Sequence, residues 1–110
     1  MSETPIAEVA KKLLEAIRDV ETSHEISPRT DKLIQLIADF QKMGLLANGK
    51  EVGAYVLRSR AHGGPQIYVE TLATEIAFLS LALARECRNQ YAILSPWSNI
   101  DRIQILQIVE

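Results

Sequence analysis

Residues Ile67 to Asn89 read IYVETLATEIAFLSLALARECRN. Between Ile76 and Ala84 the only polar side chain is Ser80. A helix that is apolar on nearly every side must be buried on nearly every side. The stretch is therefore expected to form one central helix, with the rest of the chain packed around it. Leu72, Ile76, Leu79 and Leu83 recur at spacings of four, three and four and make a large aliphatic stripe. Ala73, Ala77, Ser80, Ala84 and Cys87 make a second stripe, in which every residue is small. Small residues let another helix approach closely. That helix belongs to the same chain or to a second copy, so these five residues are the candidate partner or dimer seam.

Upstream, Thr4-Pro5 marks a helix start, with Thr4 as N-cap and Pro5 where its missing N–H costs nothing. Ile6, Val9, Ala10, Leu13, Leu14, Ile17 and Val20 then recur at spacings of three and four. They predict an amphipathic helix from Pro5 to Val20. Ser27-Pro28 repeats the start signal. The second helix carries Leu33, Ile34, Leu36, Ile37, Phe40 and Met43 and should stop at Gly44. With Gly44 at C′, Leu45 and Phe40 form the apolar contact of a Schellman cap.

Asn48-Gly49 is a turn signal. Lys50 to Ala61, KEVGAYVLRSRA, is read as a short helix. Val and Tyr also suit a strand, whose hairpin partner would be Gln66 to Glu70 across His62-Gly63-Gly64-Pro65. An isolated hairpin is marginal without packing, which favours the helix. Downstream, Ser95-Pro96 and the variant capping box Ser98 to Asp101 announce a last helix with Ile100, Ile103, Leu106 and Val109 at helical spacing. Ile105 and Ile108 break that pattern, and RIQILQIV also fits an edge strand. The expected fold is all-α: residues 1–110 form a single-domain bundle of four to five helices around a buried central helix.

Apolar residues make up 47% of the 110 and charged residues 24%, which suits one globular domain. A net charge of −2 argues against an extensive nucleic-acid footprint. The N-terminus lacks the basic and apolar regions of a signal peptide. No apolar run reaches the roughly 18–20 residues of a membrane span. A cytoplasmic protein with no membrane contact is expected.

Catalytic chemistry finds little support. Cys87 is the only cysteine, so no disulfide forms within the chain, and no histidine lies near it in sequence. A buried structural thiol is expected rather than a nucleophile. His24, His62 and Cys87 have no zinc-ligand spacing. The carboxylates Glu8, Glu15, Glu25 and Asp39 are scattered over helix surfaces as solubilising charges. Trp97 is expected to anchor the last helix. Arg58, Arg60 and His62 precede Gly63-Gly64 and a helix start, a setting that can hold an anion. No phosphate-loop fingerprint accompanies them.

SPRTDKLIQLIADFQKMGLL followed by ANGKEVGAYVL, Ser27 to Leu57, resembles the recognition helix and first wing of winged helix-turn-helix regulators. The resemblance covers about a third of the chain. It implies that Arg29, Thr30, Lys32 and Gln35 face DNA, that Arg58 and Arg60 lie on the wing, and that a long C-terminal helix serves dimerisation. Two features depart from that family. Only Glu21 to Ile26 is left for the preceding helix, and Asp31 and Asp39 would repel phosphates. The favoured expectation is a small non-enzymatic adaptor, regulator or complex subunit. It would act through protein–protein contact, as a homodimer or within a larger assembly, without cofactor or metal. A winged-helix DNA-binding regulator is the alternative.

Overall fold

The computed structural model describes residues 5–22, 27–49, 51–60, 67–69, 74–94 and 103–109. The chain runs α1 (Ile6–Thr22), α2 (Ser27–Lys42), β1 (Tyr55–Ser59), β2 (Tyr68–Val69), β3 (Thr74–Glu75), α3 (Leu81–Leu94) and β4 (Ile103–Gln107).

Helix α1 forms as its periodicity dictates. Val9, Ala10, Leu13, Leu14, Ile17 and Val20 are buried, while Lys11, Lys12, Glu15, Arg18 and Asp19 are exposed. The Pro5 carbonyl accepts from the Glu8 and Val9 amides at 3.0 and 3.1 Å and opens the helix. The buried stripe packs α1 against both α2 and α3. Each large side chain so buried contributes about 1.5–3 kcal/mol. The end of α2 also follows the sequence. Gly44 has φ +75°, the Leu45 amide donates to the Phe40 carbonyl at 3.0 Å, and the Gly44 amide donates to the Gln41 carbonyl at 3.1 Å. These two bonds define a Schellman cap, and the left-handed φ explains the glycine.

The central helix expected over 67–89 is not what forms. Helix α3 begins only at Leu81, and the described residues 68–69 and 74–79 before it are not helical but extended. Tyr55 and Phe78 exchange backbone hydrogen bonds at 2.7 Å in each direction. On the other side of Phe78, the Ala47 amide donates to the Ala77 carbonyl and the Leu79 amide to the Leu45 carbonyl, both at 2.9 Å. A strand covered on both faces is as uniformly apolar as a buried helix, so the run itself does not separate the two. Ser80 marks the boundary. Its hydroxyl accepts from the Leu83 amide at 3.2 Å, making it the N-cap of α3 rather than one polar residue within a longer helix. The small stripe therefore breaks. Ala77 packs with Ala47, Ala54 and Val56, whereas Ala84 and Cys87 enter the main core from α3. Leu72 and Ala73 lie outside the described residues.

The helices expected over 50–61 and at the C-terminus are also replaced by strands. β1 and β4 pair antiparallel, from Tyr55 opposite Gln107 to Ser59 opposite Ile103. Gly53, at φ +93°, opens the pair. Its amide donates to the Ile108 carbonyl while the Ile108 amide donates to the Ala54 carbonyl, both at 2.8 Å, the pattern of a glycine bulge. A left-handed residue there interrupts any helix across 50–61. The distant β4 supplies the ladder that a local hairpin lacks.

The fold is thus a small mixed α/β globule and not an all-α bundle of four to five helices. The winged-helix alternative fails on the same pairing. A wing needs β1 against β2, but β2 pairs with β3, Tyr68 opposite Glu75 and Val69 opposite Thr74. In place of a long C-terminal helix stand the 14-residue α3 and the strand β4. One sheet face, with Leu57 and Ile103, joins Leu13, Leu33, Phe78 and Leu83 in the main core. Ala54 and Val56 lie in a second, smaller cluster with Ala47, Ala77 and Ile108. Among the described residues, no helix is long and apolar enough to cross a membrane.

Candidate functional site

β4 has one edge on β1 and, among the described residues, no strand on the other. Antiparallel partners alternate between residues that bond across the pair and residues that turn away. Since Ile108 bonds to Gly53 and Ala54, Gln104 and Leu106 also face β1. Ile103, Ile105 and Gln107 then direct their amides and carbonyls outward. The same alternation on β1 turns Tyr55 to Phe78. Among the described residues, no strand pairs with the outer edge of β4.

Beside that edge runs a groove of about 480 Å³. Leu81, Arg85 and Arg88 form its α3 wall. Spacings of four and three place them on one helix face, next to the core stripe of Leu83, Ala84 and Cys87. Tyr55, Arg60 and all five residues of β4 also line it. Among the described residues no carboxylate does. Arg60 and Arg85 are exposed, and Arg88 is half-buried. The Arg88 Nε is buried with no hydrogen-bond partner among the described residues, an arrangement that costs about 1–3 kcal/mol for a donor left unsatisfied. Among the described residues the ion pair is elsewhere: Arg58 Nη2 meets Glu75 Oε1 at 3.0 Å and ties β1 to β3. The groove therefore combines strand backbone that no described strand pairs with and three guanidinium groups not neutralised by a described acid.

The residues singled out in the sequence disperse. Arg60 lies in the groove. Arg58 is held by Glu75, and Arg29 and Lys32 are exposed on α2 and do not line the groove. Gln35 Nε2 donates to Asp39 Oδ1 at 2.9 Å, one helical turn along. His24, His62, Gly63, Gly64 and Trp97 lie outside the described residues, as do the start signals at 95–101. Of the small stripe, Ala84 and Cys87 are fully buried within the chain and Ala77 nearly so.

Cys87 has the environment of a structural thiol. Burial, and then the neighbouring Glu86 charge, push its pKa up to about 12. The thiolate needed for nucleophilic attack is thus suppressed at neutral pH. Among the described residues, no three His, Cys, Asp or Glu side chains cluster to hold a metal.

Arg85, Arg88, Gln104 and Gln107 were not recognised from sequence as one site. The available signal was the spacing of Leu81, Arg85 and Arg88, which requires α3 to begin at Ser80. Comparison with family models, curated proteins and solved structures returns no match.

Proposed function

We propose that the protein is a small non-enzymatic interaction module, an adaptor or complex subunit, which takes up a protein partner along the outer edge of β4. The open edge beside a groove supports this reading. Exposed strand edges are templates for pairing with another chain, and soluble proteins ordinarily cover or blunt them. Strand addition is an established mode of peptide recognition in which backbone bonds give affinity and flanking pockets give selectivity. The exposed Leu106 adds an apolar contact on the strand itself.

Site-specific photocrosslinking in the native host tests the reading. A photoreactive side chain at Leu106 should capture a recurring protein, and one at the exposed Asp19 of α1 should not. Gln107→Pro should abolish capture. Its lost amide points away from β1, so the β1–β4 ladder survives, which a thermal melt checks. Equal capture from both positions, or capture that survives the proline, would contradict the proposal.

A further inference from the structure

The groove also carries information about the chemistry of its occupant, and this step rests on the interaction reading above. We infer that β4 receives an extended acidic segment of another protein, added as a strand, with carboxylates on its α3-facing side. Charge complementarity carries the inference. Arg60, Arg85 and Arg88 line the groove, with no carboxylate among the described lining residues. This concentration of positive charge stands out in a chain of net charge −2. Guanidinium groups bind carboxylates through paired N–H donors, and such bonds are stronger than neutral ones. The Arg88 Nε is buried with no hydrogen-bond partner among the described residues, so this donor is left for an occupant.

The sheet geometry specifies a pattern. Side chains of an added strand alternate between the two sheet faces. Those on the α3 side meet Arg85 and Arg88. Those on the opposite side lie along Leu106, which is 40% exposed. The occupant should therefore alternate acidic and apolar residues. A second copy of this chain fits poorly. Pairing two β4 edges would bring the Arg85 and Arg88 groups of both copies toward one interface, where like charges repel.

The test uses the full chain and short synthetic peptides. One alternates Glu and Val, a second replaces Glu with Lys, and a third is the Glu-Val peptide N-methylated at every residue. The third keeps the charge and side chains but removes every pairing amide, whichever direction the added strand runs. The Glu-Val peptide should bind, slow amide exchange at Ile105 and Gln107, and lose affinity about tenfold or more with Arg85→Glu, as expected for one charge-assisted hydrogen bond. Arg88→Gln should weaken binding in the same direction, a milder change in case charge reversal perturbs folding.

Equal binding of the Lys peptide would overturn the inference. So would equal binding of the N-methylated peptide, which would leave only bulk charge. Preferential uptake of a single-stranded oligonucleotide would mark a nucleic-acid site, and light scattering that shows self-association through β4 would mark a second copy. Each result also overturns it. If no peptide binds but capture from Leu106 persists, the acidic partner is wrong and the interaction site stands. If both fail, both proposals fall.

Discussion

Tyr55 and Phe78 exchange two backbone hydrogen bonds of 2.7 Å, and through this bridge two segments that read as helices lie side by side in extended form. Phe78 is fully buried, and its neighbour across the other edge is Leu46. The pair therefore links the residues that follow α2, those that precede α3, and β1. β1 in turn carries β4, so the open edge depends on this internal pairing.

Ala77 sits one residue from that junction, 5% exposed against Ala47, Ala54 and Val56. Ala77→Leu should lower stability by about 1–3 kcal/mol through overpacking. The neighbours that close this site come from extended segments rather than from a packed helix. Urea denaturation provides the measurement. An unchanged midpoint would mean that this cluster can open without cost.

Ser80 sets where α3 begins, and hence where Leu81, Arg85 and Arg88 point. Ser80→Ala should cost about 1 kcal/mol by leaving the Leu83 amide without its cap. Ser80→Asp should retain stability, since a carboxylate suits both the cap and the helix dipole. Equal melting temperatures for all three proteins would remove the hydroxyl from any capping role.

Cys87 predicts an alkaline limit. Its pKa rises from 9.0 to about 12 on folding. Above the lower value the unfolded chain releases the proton while the folded chain keeps it. Stability is therefore full below pH 9 and falls as pH climbs toward 12, by up to about 1.4 kcal/mol per pH unit. Denaturation of wild type and Cys87→Ala at several pH values isolates this contribution. Their stability difference should shift in favour of the alanine protein with rising pH, and a constant difference would refute the linkage.

Much of the helical half was legible in the sequence. The three-and-four spacing from Ile6 to Val20 and the Phe40, Gly44 and Leu45 set are local signals, and each folds as its local chemistry dictates. The strands were less legible because their partners are remote. Tyr55 pairs with Phe78 and with Gln107, far along the chain. A strand ladder supplied from that distance leaves no local trace beyond β-branched and aromatic content, which Lys50 to Ala61 does show. The run through Ile76 to Ala84 was ambiguous for a different reason. Burial on both faces erases periodicity, and Ser80 read equally as a small helix residue or as a cap. The groove inherits that difficulty, since Arg85 and Arg88 meet β4 only after both boundaries are set.

The open edge of β4 has an immediate test that needs no partner: amide hydrogen exchange at residues 104–108 in the free protein. Gln104, Leu106 and Ile108 donate toward β1 and should exchange slowly, while Ile105 and Gln107 point outward and should exchange rapidly. Protection of Ile105 and Gln107 equal to that of Leu106 would show the edge already covered, and the proposed docking site would not exist.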